Sequence, residues 1–278
     1  MSLSFLPLLL RLAVLLLLGF AGFCLLLYWR QEGMLFFPGQ APLEQVGREA
    51  RDVGFRLWPE PTDGYRALLA EPAGQVVGTC VIWHGNAGSA RQRDYLAAPL
   101  LRLGWRVVVA EYPGYGARPR GSLREAALVT EARQLTKDVQ RQFGGPLVVI
   151  GESLGAALAA AVAGDATLPV NGAVLFTPWF DLAGVARVHY PWLPVGLLLR
   201  DRFDNASALQ EFGGPVIVVT AGSDEIIPPA EGRRLYHALG TPTKRLREIP
   251  GAWHNDWVER VSMDDWRDWL AFAAGSHR

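Results

Sequence analysis

The chain has 278 residues, 50% of them hydrophobic and 19% charged, with a mean hydropathy of +0.13 that lies on the apolar side for a soluble protein. Its 27 Lys plus Arg balance 27 Asp plus Glu, so there is no basic field to gather phosphates, and nucleic acid is excluded as an expected partner. With only Cys24 and Cys80, a disulfide framework and a Cys-based metal site are excluded as well, and Cys80 reads as a small core residue.

The first element accounts for the apolar excess. Residues 12–29 form an 18-residue run without a charge. As a helix it reaches about 27 Å, close to the hydrocarbon thickness of a bilayer. Residues 5–10 extend it, with Arg11 snorkelling. A cleaved signal peptide is the competing reading, but Leu25, Leu26, Leu27, Tyr28 and Trp29 stand where small cleavage-site residues belong. Phe23 before Cys24 likewise spoils a lipoprotein-type signal. The segment 1–30 is therefore expected to be a retained single-pass anchor, with Tyr28 and Trp29 at the interface. Acidic residues follow the span and not its short amino-terminal flank, which leans the domain towards the non-cytoplasmic side.

Residues 31–278 read as one catalytic domain. Strands are expected at 54–58, 65–71, 76–83, 105–111, 147–150, 173–176, 216–220 and 244–249, and helices at 90–103, 122–143, 153–163, 229–239 and 257–274. Alternating strands and helices, with the later strands continuously apolar, predict an α/β fold with a mostly parallel sheet buried on both faces. The insertion 178–214 carries Trp192, Leu193, Val195, Leu197, Leu198 and Leu199. It is long and apolar enough to act as a lid lining an acyl pocket.

Four loops carry chemistry. Val81-Ile82-Trp83-His84-Gly85-Asn86-Ala87-Gly88-Ser89 ends a buried strand in a loop whose backbone N–H groups can face an oxyanion. His84, first in that loop, is expected to shape it by hydrogen bonding, not to act as a base. Gly151-Glu152-Ser153-Leu154-Gly155 follows a strand and precedes an Ala-rich helix. A turn this sharp strains the serine backbone, and its glycines remove side chains that would collide, so the hydroxyl stands above the sheet edge. The competing reading is a serine N-cap of an ordinary helix. The oxyanion pair is then the N–H of Asn86 with that of Leu154, next after the nucleophile. Asp224 follows the strand 216–220, and His254 follows the last strand. Ser153, Asp224 and His254 thus occur in the chain order of an α/β-hydrolase triad. Asp181 is the second choice for the acid, and Glu225 points differently one residue on. His189, His237 and His277 read as surface or packing residues.

The blocks His84-Gly85-Asn86-Ala87-Gly88, Tyr112-Pro113-Gly114-Tyr115-Gly116, Gly151-Glu152-Ser153-Leu154-Gly155, Asp224-Glu225-Ile226-Ile227-Pro228-Pro229 and His254-Asn255-Asp256 resemble the Bem46 and ABHD13-like branch of the α/β-hydrolase superfamily. The resemblance spans roughly residues 35–269. It implies a serine hydrolase acting on small-molecule esters or acyl substrates, in a branch whose members tend to carry one N-terminal hydrophobic segment. Ala117, where a serine often follows Gly-Tyr-Gly, and Glu111, where Asp or Arg is frequent, are departures that leave the triad untouched. Neither G-x-G-x-x-G after a strand nor G-x-x-x-x-G-K-[ST] occurs, and no His or carboxylate cluster reads as a metal site, so no cofactor is expected. Two alternatives stay open. One is a peptidase or acyltransferase on the same fold, and the other is a non-enzymatic membrane-anchored binding protein.

Overall fold

In the computed structural model the structure describes residues 6–59 and 64–275, so Phe5 and His277 lie outside the described residues. Helix α1 (Leu6–Leu35) opens the chain. Its apolar run is long enough to cross a membrane by length and composition, and 6% of its most apolar stretch is buried. The helix passes the end of segment 1–30 because Gln31 hydrogen bonds to the chain around residues 198–200 and Leu35 packs on the core.

After a two-residue strand β1 (Phe37–Pro38) comes α2 (Leu43–Asp52), absent from the expected elements. It is short and strongly amphipathic, hiding Val46, Gly47 and Ala50 on one face and presenting charges on the other. Strands β2 (Arg56–Trp58), β3 (Ala67–Ala70), β4 (Gly78–Trp83), the short β5 (Ala87–Gly88), helix α3 (Asp94–Arg102) and strand β6 (Trp105–Ala110) follow. The helix expected at 90–103 is split. A 3₁₀ turn, Ala90–Gln92, opened by a Ser89–Gln92 capping box, ends at Arg93, and α3 begins after it.

The remainder is α4 (Glu125–Phe143), β7 (Leu147–Glu152), α5 (Leu154–Ala163), β8 (Gly172–Phe176), the short helices α6 (Leu182–His189), α7 (Val195–Leu198) and α8 (Asn205–Ala208), then β9 (Val216–Ala221), α9 (Pro229–Ala238), β10 (Lys244–Ile249) and α10 (Met263–Ala273). The helix expected at 257–274 is also two pieces. Ser262 caps α10 and exchanges hydrogen bonds with Asp265, which starts a new helix after the 3₁₀ turn Trp257–Arg260.

All eight expected long strands form one sheet in the order β10-β9-β8-β7-β4-β6-β3-β2, antiparallel only where β3 pairs with β6 and β2. This is the α/β-hydrolase architecture. Alternate side chains of β4 feed two cores: Val81 and Trp83 join Leu128, Leu135 and Leu158, while Cys80 and Ile82 join Leu96, Leu100 and Leu270 on the other face. The inner parallel strands β4, β7, β8 and β9 are buried on both sides, which explains their apolar sequences, whereas the edge strand β10 is charged and partly exposed. The chain leaves β4 for β6 on one side and returns to β7 on the other. A crevice therefore opens at their carboxyl ends, the place where open α/β sheets hold ligands.

Candidate active site

Four loops meet at that crevice. Ser153 sits between β7 and α5 with φ 53 and ψ −118, a left-handed conformation costly for a residue bearing a Cβ. Its backbone N–H donates to the Phe176 carbonyl of β8 at 2.9 Å, which holds the turn against relaxation. The glycines are obligatory for a different reason. A Cβ on Gly151 would lie 2.4 Å from the Ala156 Cα, and one on Gly155 would lie 2.0 Å from the Trp83 carbonyl oxygen. Helix and strands therefore approach one another at a distance only glycine permits, leaving the serine hydroxyl at the top of the sheet.

His254 arrives from the loop after β10. Its Nε2 lies 3.2 Å from Ser153 Oγ and its Nδ1 2.7 Å from Asp224 Oδ2. All three side chains are buried or nearly so. Asp224 Oδ1 accepts from the N–H groups of Ile226 and Ile227 at 2.9 and 2.7 Å. The carboxylate thus has one oxygen spent on its own loop and the other aimed at the imidazole, which fixes the ring so that Nδ1 donates and Nε2 is free to take a proton. The rivals are elsewhere. Asp181 caps α6 by accepting from Gly184 N–H, and Glu225 accepts from the backbone N–H of His254. His189 contacts the Ile226 carbonyl at the surface, and His237 stands exposed on α9 beside Tyr236.

The loop after β4 lies beside Ser153 because β4 and β7 are paired, Trp83 opposite Gly151. Among the described residues, neither the Asn86 nor the Leu154 backbone N–H donates a hydrogen bond, so both are available at the site. His84 is fully buried and donates from Nδ1 to the Gly85 carbonyl at 2.7 Å, while Nε2 faces Glu111 Oε1 at 3.4 Å. It shapes the loop.

A cluster of side chains around this loop was not singled out from the sequence as part of the site. Tyr112 donates to the His84 carbonyl and Tyr115 to the Asn86 carbonyl, both at 2.6 Å. Burial pushes both phenols well above the usual tyrosine range, so they stay donors. Glu111 accepts from Ala90 N–H, and Tyr65 accepts from Ala117 N–H. Tyr95 donates to Glu152, next to the serine, at 2.6 Å. The block Tyr112-Pro113-Gly114-Tyr115-Gly116 was the visible trace of this scaffold. Among the described residues no group of three or more His, Cys, Asp or Glu is placed to hold a metal ion.

With this geometry in view, the relatives fall into place. A protein of Mycobacterium tuberculosis, Rv2307c, is 32% identical over 242 residues, which is 85% of this chain and 84% of its own. A family model described as serine aminopeptidase, S33, matches residues 74–199, and Bem46 of Schizosaccharomyces pombe is 24% identical over 206 residues, covering 70% of this chain and 67% of its own. The chain belongs to the α/β-hydrolase superfamily. A solved monoacylglycerol lipase of Paleococcus ferrophilus shares this hydrolase fold with a TM-score of 0.57 at 20% identity, over 75% of this chain and 99% of its own. The family model ends before Asp224 and His254, so the two loops that meet Ser153 lie beyond the matched stretch.

Proposed function

We propose that this hydrolase is a membrane-anchored serine enzyme that cleaves carboxylic esters or thioesters through an acyl-enzyme on Ser153. The observation that carries the reading is the continuous chain Ser153 Oγ, His254 Nε2, His254 Nδ1, Asp224 Oδ2 on a strained turn beside two unpaired backbone N–H groups. In this scheme His254 takes the hydroxyl proton while Ser153 Oγ attacks the acyl carbon. The N–H groups of Asn86 and Leu154 receive the charge that develops on the carbonyl oxygen, aided by the amino-terminal end of α5. His254 then gives the proton to the departing alcohol or thiol. Water attacks the acyl-serine by the same path, releasing the acid and restoring Ser153.

Segment 1–30 serves as the anchor and 31–278 as the catalytic domain, with the insertion 178–214 as lid and the domain on the non-cytoplasmic side. A fluorophosphonate probe labels the wild type and not Ser153→Ala; equal labelling of both would refute the nucleophile. Retention in membranes through a carbonate wash tests the anchor, and a carboxyl-terminal reporter fusion reads the side.

A further inference from the structure

Between the second half of α1 and residues 182–201 lies a cavity of about 280 Å³. That places it near the lower end of ligand-site volumes, which run from about 300 Å³ upwards. Most of its wall is built by two partners, with Phe36, Leu123 and Arg124 completing it. Phe23, Leu27 and Leu35 come from the membrane-length helix, and Val185, Leu193 and Leu198 come from the lid. Neither partner encloses the space alone. They are fastened together by Gln31, whose Nε2 donates to the Leu198 carbonyl at 2.8 Å and whose Oε1 accepts from Arg200 N–H at 3.0 Å.

One end of the cavity is hydrogen bonded to the loop after β4, although no residue of that loop lines it. Leu35 and Phe36 line it, Asn86 Nδ2 donates to the Leu35 carbonyl at 2.7 Å, and Phe37 N–H donates to the Asn86 carbonyl at 2.9 Å. The floor of the cavity is thus bonded to the residue whose own N–H is proposed above to receive the oxyanion. The other end meets the apolar run. Trp192 of the lid stacks on Phe23 with ring centroids 5.9 Å apart. Phe23 precedes Trp29 by six positions, about 9 Å further along the helix axis into the uncharged stretch. If α1 spans a bilayer, the lid tip enters it, and Trp192 and Leu197 are 59% and 85% exposed there. Large apolar side chains exposed at that depth face lipid, not water.

We infer that this cavity binds the acyl chain of a single-chain amphiphilic ester that enters sideways from the bilayer, and that α1 is half of the acyl site. The fate of the ester rests on the serine hydrolase reading above; the binding of the chain does not. The small volume selects one chain, and the apolar wall rewards each buried methylene with about fourfold in affinity.

The test uses the full chain in phosphatidylcholine nanodiscs. Diazirine-bearing palmitic acid is photocrosslinked to Ser153→Ala, and the adducts are mapped. They are expected on residues 23–35 and 182–201, and the lid adducts are expected to disappear when the cavity is filled by Leu27→Trp or Val185→Trp but not with Leu18→Trp on the exposed part of α1. Adducts confined to residues 8–20, or lid adducts unchanged by both filling substitutions, would overturn the inference. In the active chain, each filling substitution lowers the kcat/KM ratio of palmitate to butyrate esters by about tenfold or more, as a few excluded methylenes require. An unchanged ratio would equally overturn it. Crosslinking that follows the cavity while the fluorophosphonate ignores Ser153 would leave this inference standing and remove the proposed chemistry.

Discussion

The carboxyl edge of the sheet and the seam between α1 and the lid are held together in opposite ways. At the sheet edge, polar bonds and steric limits determine nearly every position. Asp224 Oδ1 takes two backbone N–H groups, Ser153 is pinned to Phe176, and Gly151 and Gly155 allow no side chain. At the seam, one glutamine supplies two bonds to the lid backbone, and contacts such as Phe23 on Trp192 supply apolar packing. A proton shuttle tolerates only a few tenths of an ångström of misplacement, so it needs a scaffold that cannot repack. A chain-binding surface works by area and adapts. Perturbing the first region should therefore abolish function outright, and perturbing the second should grade it.

The largest effects are expected at the edge. Ser153→Ala or His254→Ala lowers turnover by about 10⁴-fold or more, and Asp224→Asn by about 10⁴-fold or somewhat less. Asp181→Asn keeps its capping role on α6 and leaves turnover within about twofold. Steady-state kinetics on one short ester distinguishes the two acids, and inactivation by Asp181→Asn alone would move the acid there. Gly155→Ala should cost about 3 kcal/mol because its Cβ meets the Trp83 carbonyl, strand to helix, with nothing flexible to yield. Chemical denaturation measures this, and a stability change under about 0.5 kcal/mol would mean that the turn is not as tight as described.

A middle-sized effect tests how the scaffold behaves with pH. Burial holds the Tyr112 phenol protonated in the folded chain far above the usual tyrosine value of about 10. Its contribution to stability is complete below that unfolded value and is lost as pH rises from there towards the folded one. Tyr112→Phe removes the bond to the His84 carbonyl, so at neutral pH it should destabilise by about 1 kcal/mol. Above about pH 10 the gap from the wild type should narrow, because only the wild type gains by ionising on unfolding. Thermal melts across that range read the sign directly. A gap that widens with pH would contradict it.

The same division explains what was legible in the sequence. Glycines around Ser153 are required by backbone sterics, so they stand out in the letters, and Asp224 follows β9, a strand buried throughout, whereas His254 follows the charged edge strand β10. The inner strands of the sheet were readable for that reason. The seam was not. Gln31 meets Leu198 across 167 positions and Asn86 meets Leu35 across 51, and a lone polar residue at the end of an apolar run carries no periodic signal of its partner. The break before α10 was missed for a local reason: the capping box at Ser262 restarts a helix inside a stretch whose overall pattern reads as continuous, while before α3 the backbone of Arg93 leaves the helix without any side-chain cap.

One of the small predicted effects decides whether the seam is more than contact. Gln31→Leu keeps the size and helix preference of the side chain and removes both bonds to the lid backbone. Gln31, Leu198 and Arg200 are each half-buried, so water can replace part of what is lost, and the cost should be about 1 kcal/mol instead of the full penalty of two orphaned groups. For a chain of this size that is a fall of roughly 2–4 °C in Tm. If α1 only tethers the domain, nothing beyond that fall follows. If α1 and the lid form one wall, loosening it also admits water beneath the lid, so amide hydrogen exchange should rise across residues 182–201 while the strands β7 to β9 keep their protection. Hydrogen exchange on the full chain in nanodiscs separates the two outcomes. Unchanged exchange in the lid would reduce α1 to an anchor and leave the catalytic edge to act alone.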